Sequence, residues 1–311
     1  MNINLKFFKK FKSLPVDQFY NNVLYDKNIG YYNSVTPFGK KGDFITAPNI
    51  SNIFSEMIAI WIISTWENFG KPKNLSLVEL GPGDGSLTKV LLEVFKRFKN
   101  FDKAKQIYLF EISKLMKKKQ KQNLNDKSLI WISDLGKIKK GPVIFFGNEF
   151  LDAIPIKQFR KKKGSFLEKC YTLNKNFDIE EIYKKASKIN SKMLRSYLSI
   201  KDLNFIEFPK LGFQNLKKIT NKILKLDGCI LLIDYGYLKP HNQNTLQSVF
   251  KHKKNKLLEN LGKADVTSHI NFELLKEFFK KNNLKTKKII TQQEFLQSNG
   301  IIERAELLAK K

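Results

Sequence analysis

Leu77-Val-Glu-Leu-Gly-Pro-Gly-Asp-Gly-Ser-Leu-Thr88 is the stretch that decides how this chain is read. A short apolar run ends in glycines at alternate positions, Gly81, Gly83 and Gly85. Leu87, Val90, Leu91, Val94 and Phe95 then recur at helical spacing. A strand, a glycine loop and a helix in that order let a ligand approach the backbone, because no Cβ stands in the way. The helix N-terminus beyond the loop offers N–H groups with no partner inside the helix. The spacing is G-x-G-x-G behind an acid, Glu79, not the G-x-G-x-x-G of dinucleotide fingerprints.

Working outward, three further βα-like units follow. Gln106-Ile-Tyr-Leu-Phe-Glu111 is an apolar strand ending on an acid and followed by a lysine-rich helix. Ser128-Leu-Ile-Trp-Ile-Ser-Asp134 is a short strand ending on Asp, and Gly141-Pro-Val-Ile-Phe-Phe-Gly-Asn-Glu149 is the fourth. A later strand is Gly228-Cys-Ile-Leu-Leu-Ile-Asp234. Continuous apolar strands alternating with helices predict an α/β fold with a mostly parallel, doubly wound, Rossmann-like sheet buried on both faces. Functional side chains are then expected where the strands' carboxyl ends meet the loops. Residues 1–70 read as an N-terminal helical and lid segment. Within it, Ile53 to Trp66 is an apolar packing helix and Asp26–Pro48 a lid candidate. Residues 71–311 read as the main domain, with a small substrate-side insertion at about 160–212, where the alternation breaks.

The formal net charge is +28, which normally points to nucleic acid or an anionic membrane. Arginine, the residue suited to bidentate phosphate recognition, occurs only at positions 97, 160, 195 and 304. Lysine, asparagine, isoleucine and phenylalanine are abundant together, as when an AT-rich genome fills surface positions with lysine. A specific nucleic-acid partner is therefore not expected. Cys170, Cys229 and the three histidines give no zinc spacing, so no metal site is expected either. No apolar run approaches a membrane span, and the first ten residues make a poor secretory signal. They also lack the Arg/Ser-rich character of a mitochondrial presequence. A bacterial cytoplasmic protein is the expectation.

Several motifs occur in a fixed order: Gly42-Asp-Phe-x-Thr-Ala-Pro48, Val78-Glu-Leu-Gly-Pro-Gly-Asp-Gly85, Asn148-Glu-Phe-Leu-Asp-Ala153, Asp234-Tyr-Gly-Tyr237 and Ala264-Asp-Val-Thr-Ser-His269. The ending Gln293-x-Phe-Leu-x-x-x-Gly-Ile-x-x-Arg304 completes them. Together they resemble the MidA family over about residues 15–310. The resemblance implies a class I fold and S-adenosyl-L-methionine (AdoMet) as cofactor. It also implies a protein arginine as methyl acceptor, in a respiratory complex I subunit, with the mitochondrial matrix as the family's other compartment. The insert is shorter than is usual for the family. A homodimer, a non-catalytic assembly factor and an RNA methyltransferase stay open as alternatives.

On that resemblance Gly81, Gly83 and Gly85 wrap the methionine and ribose part of AdoMet, and Glu79 faces its amino group. A carboxylate at Glu111 has two oxygens to match the ribose diol, and Asp134 can accept from the adenine amino group. Asp43 and Thr46 are lid residues that could close over the cofactor, or simply order their own loop. Asn148, Glu149 and Asp152 follow the fourth strand, where methyl acceptors sit in this fold. Carboxylates there suit a guanidinium, or they cap the next helix. Asp234 and Tyr235 end a later strand and could line the acceptor pocket. His269 is a candidate proton acceptor, or a packing residue.

Overall fold

A computed structural model of the protein describes residues 3–9, 11–34, 48 and 51–310. The chain divides into two compact units, each built from separate stretches of sequence.

One unit comprises Phe38–Asn148, Ile219–Ile233 and Lys287–Lys311. Its centre is a sheet of five parallel strands, ordered Gly228–Ile233, Val143–Asn148, Leu75–Leu80, Lys105–Phe110, Ile130–Ile132. Every residue of Leu75–Leu80 is buried, Ser76 and Glu79 included, as the central strand of a two-sided sheet requires. Leu77, Ile144, Phe146 and Leu109 pack with Leu91 and Phe95 of the helix Ser86–Phe95. Ile58, Ile62 and Trp66 of the helix Asn52–Asn68 join the same core. That helix is apolar nearly all round, as buried helices are. Its first turn is capped by Ser51, which accepts from Ile53 N at 3.2 Å. Arg304 forks onto Glu56 at 2.6 and 2.9 Å and pins the last helix, Ile301–Ala309, to it.

From Leu75–Leu80 the chain first builds outward through Lys105–Phe110 and Ile130–Ile132, then returns to the other side with Val143–Asn148. The strand order reverses between Leu75–Leu80 and Val143–Asn148, and ligands of open α/β sheets bind beyond the carboxyl ends at such a point. The glycine loop and Asn148 both leave the sheet there.

The other unit comprises Met1–Pro37, Glu149–Lys218 and Asp234–Thr286. Its larger sheet is antiparallel: Ser13–Pro15, Ser165–Leu173, Lys157–Lys162 and Phe205–Phe208 in order, with Ile179–Lys185 along the free side of Ser165–Leu173. The stretch 160–212, where the alternation breaks, folds mainly as these antiparallel strands and the helix Lys188–Arg195. An aromatic core of Phe7, Phe8, Phe19, Tyr20 and Tyr171 joins the N-terminal helices to this sheet. Among the described residues no helix is long and apolar enough to cross a membrane.

Candidate active site

The proposed cofactor residues lie in the parallel-sheet unit. Gly81, Gly83 and Gly85 all have left-handed backbone, with φ of 63°, 57° and 88°. At Gly85 a side chain would be strained twice, by that φ and by a Cβ only 3.1 Å from Leu124. Asp84 Oδ1 accepts from Ser86 N at 3.0 Å and starts the helix behind the loop.

Glu111 stands at the end of the neighbouring strand, its N–H donating to Ile132 O at 3.1 Å. Its carboxylate is almost buried, and burial pushes its pKa up. Ser113 N donates to Oε1 at 2.7 Å, and Gln120 Nε2 donates to Oε2 at 3.1 Å. The Ile112 backbone N–H also bonds the carboxylate, and its two oxygens together keep acceptor capacity for a diol. Gln120, fully buried, also donates to Gly83 O at 2.8 Å and accepts from Trp131 Nε1 at 3.0 Å. It therefore sets the distance between the glycine loop and Glu111. Sequence reading missed Gln120, which sits among six lysines between positions 114 and 127. Only its period with Met116 on one helical face could have marked it as inward.

Glu79 is 3% exposed and accepts from the Thr88 hydroxyl. Burial pushes its pKa up to about 7, with the Asp84 charge adding to the rise and the Thr88 bond opposing it. The folded protein thus holds this proton more tightly than the unfolded chain. The associated stability is full below about 4.5 and lost as pH rises through about 7. Glu79→Gln is expected to remove that loss. Relative to wild type the variant should gain on the order of 3 kcal/mol between about pH 5 and about pH 8. Urea unfolding at both values measures it, and parallel pH profiles would show that Glu79 is already ionised in the fold.

Asp134 is exposed, and its Oδ1 accepts from Gly136 N at 3.0 Å, capping the short turn Leu135–Lys137. The structure shows a cap at this position rather than a contact in the glycine-loop network. Asp43 and Thr46 lie outside the described residues.

The proposed acceptor residues fall in the other unit, apart from Asn148, which ends the strand Val143–Asn148 paired with Ile233. Glu149 and Asp234 are the residues that follow this pair in sequence. Glu149 has a left-handed φ of 49°, uncommon for a residue with a side chain. Asp234 organises the loop. Its Oδ2 accepts from Leu151 N at 2.9 Å and Asp152 N at 3.3 Å, and its Oδ1 from Tyr235 N at 3.0 Å. Asp152 is 6% exposed. Its Oδ2 accepts from the Tyr235 hydroxyl, while its buried Oδ1 has no partner among the described residues.

Burial and neighbouring carboxylates raise both carboxyls. Asp234 is pushed up to about 7, mainly by burial and further by Glu149, against the backbone donors. Asp152 rises well above the carboxylate range through burial, the Asp234 charge, and smaller contributions from Asp265 and Glu149. Among the described residues neither forms an ion pair. His269 is exposed at the rim: its N–H donates to Thr245 Oγ1 at 3.0 Å, and its ring meets Tyr235 edge to face at 5.5 Å.

Three side chains not foreseen complete this surrounding. Tyr25 donates to Ala153 O at 2.9 Å and stacks on Tyr32 with centroids 5.3 Å apart. The Tyr32 hydroxyl donates to buried Asp265, 3.3 and 3.2 Å from its two oxygens. No linear motif joins residues this far apart.

Comparison with known proteins agrees with this geometry. Residues 57–290 match the model of a family of S-adenosyl-L-methionine-dependent methyltransferases. Protein arginine methyltransferase NDUFAF7, mitochondrial, of Xenopus tropicalis is 28% identical, over 96% of this chain and 74% of its own length. The NDUFAF7 homolog of Caenorhabditis elegans is 30% identical, over 90% of this chain and 71% of its own. A Burkholderia thailandensis protein crystallised with S-adenosyl-homocysteine matches the fold with a TM-score of 0.79 at 19% identity, covering 99% of this chain and 81% of that one. The match over residues 57–290, with relatives of up to 30% identity along most of their length, places the chain in the MidA-type family of AdoMet-dependent methyltransferases.

Proposed function

We propose that the protein methylates an arginine side chain of another protein, a subunit of respiratory complex I. The observation that carries this reading is the buried Oδ1 of Asp152, without a partner among the described residues, beside Asp234 and with Glu149 on the same loop. A buried carboxylate next to a half-buried one, with no cation among the described residues, is costly, and a guanidinium relieves that cost with charge and with donors in a planar fork. The names of the NDUFAF7 relatives support the same acceptor. AdoMet supplies a methyl group on a sulfonium, which needs no metal to activate it. What remains for the protein is alignment, exclusion of water and acceptance of a proton. Glu149 and Asp152 hold the guanidinium, and Asp152 takes the proton. Asn148 orients the turn into the loop. His269, at the rim, is a route for the proton to solvent. In the cofactor half, Glu79 faces the amino group and Glu111 the ribose. The compartment we propose is the bacterial cytoplasm, with the mitochondrial matrix supported by the relatives' names.

The test is mass spectrometry of total protein from cells with and without the gene. Loss of methylation at one arginine of a complex I subunit is the expected result. Methylation lost from RNA instead, or from nothing, would favour an RNA methyltransferase or a non-catalytic assembly factor.

A further inference from the structure

We infer that Tyr235 is a positioning residue of the acceptor site: its hydroxyl fixes Asp152 through Oδ2, so that Oδ1 is the atom turned to the acceptor N–H. This rests on the arginine reading above. The two oxygens of Asp152 have different surroundings. Oδ2 is taken by the Tyr235 hydroxyl; Oδ1 is buried with no donor among the described residues. The backbone is held independently, because the neighbouring Asp234 accepts from Leu151 N and Asp152 N. Consecutive residues at the end of one strand thus clamp both the main chain and the side chain of Asp152. Asp152 O accepts from Ser268 N at 3.0 Å, which adds a third constraint.

Tyr235 is itself held. Its phenol bonds Thr267, whose Oγ1 accepts from Gln247 Nε2 at 3.3 Å, and its ring rests edge to face on His269. Burial and the neighbouring carboxylates keep the phenol neutral, so toward Asp152 it acts as a donor. A donor on a carboxylate favours the ionised form. It opposes the charges that face Asp152: Asp234 and Glu149 beside it, and Asp265 and the Tyr32 phenol from other elements. In the transfer step the acceptor nitrogen's lone pair makes the new N–CH3 bond. The S–CH3 bond breaks with its electron pair left on sulfur, and the nitrogen's proton passes to Asp152 Oδ1. The Tyr235 bond to Oδ2 stays in place throughout.

The experiment compares wild type, Tyr235→Phe and Asp152→Asn, each saturated with S-adenosyl-homocysteine. Two quantities are read from about pH 5.5 to about pH 9: the Asp152 titration by carboxyl 13C NMR, and the affinity for methylguanidinium by calorimetry. Wild type should bind methylguanidinium more tightly as Asp152 ionises. Tyr235→Phe should move the Asp152 midpoint up by about half a pH unit or more and weaken binding about tenfold near neutrality, with the gap closing at high pH. If Tyr235→Phe does not fold, Thr267→Val, which loosens the phenol, should give a smaller shift in the same direction. An unchanged Asp152 midpoint, with only a lower melting temperature, overturns the inference. A shifted midpoint without methylguanidinium binding by wild type leaves Tyr235's hold on Asp152 standing and overturns the arginine reading instead.

Discussion

Asp152→Asn is expected to cut methyl transfer by about 10²–10⁴-fold, the usual worth of a positioned general base, while S-adenosyl-homocysteine affinity stays within about twofold. The substitution keeps shape. The amide oxygen can still accept from the Tyr235 hydroxyl, and Ser268 N still reaches the backbone carbonyl. What changes is the buried second position: Oδ1, an acceptor without a partner among the described residues, becomes an NH2 donor that repels the acceptor's N–H groups. The loss should therefore fall on the chemical step and on acceptor binding. Burial and the Asp234 charge raise the pKa of Asp152, so replacing it relieves electrostatic strain. The variant should be at least as heat-stable as wild type at neutral pH, since an acid with raised pKa costs stability as pH rises through its folded value. Normal turnover with a lowered melting temperature would make the loop structural and send the search for the acceptor site to His269.

Glu111→Ala is expected to weaken S-adenosyl-homocysteine by about 1.5–3 kcal/mol, roughly 10- to 150-fold, the scale of hydrogen bonds to a charged group. Two losses combine. The carboxylate that would take the ribose hydroxyls disappears, and Ser113 N and Gln120 Nε2 lose their acceptor. Gln120 also fixes Gly83 O, so the glycine loop should loosen as well. Glu111→Gln separates the effects: its one carbonyl oxygen can restore either the Ser113 bond or a single ribose bond. Calorimetry on both variants decides. Unchanged affinity in Glu111→Ala would remove Glu111 from the ribose role and leave it a cap for the helix Lys114–Leu124.

The parallel sheet could be read in the sequence because strands buried on both faces are apolar over most of their length, as Leu75–Leu80 is apart from Ser76 and Glu79, and Val143–Asn148 up to its last residue. The glycine loop was legible for a local reason too, since left-handed backbone at alternate positions selects glycine. Acids placed at strand ends followed from topology: Glu79 and Glu111 are buried and Asp234 is half-buried. Burial itself was not legible. Asp134 occupies the same kind of position and is exposed, because the strand before it, Ile130–Ile132, is a short edge strand. Gln120 was hidden by the lysines around it. Tyr25 and Tyr32 were hidden by distance, because their partners Ala153 and Asp265 come more than a hundred residues later. His269 could be placed beside Tyr235 only by the fold, and its exposure favours a rim position over a buried base.

The most direct measurement is transfer of labelled methyl from AdoMet, by the purified protein, to a protein extract from cells lacking the gene, followed by acid hydrolysis and amino-acid analysis. The account predicts label in methylarginine, absent when Asp152→Asn replaces wild type. Label in methyllysine or in copurifying RNA, or methylarginine formed equally by Asp152→Asn, would contradict it.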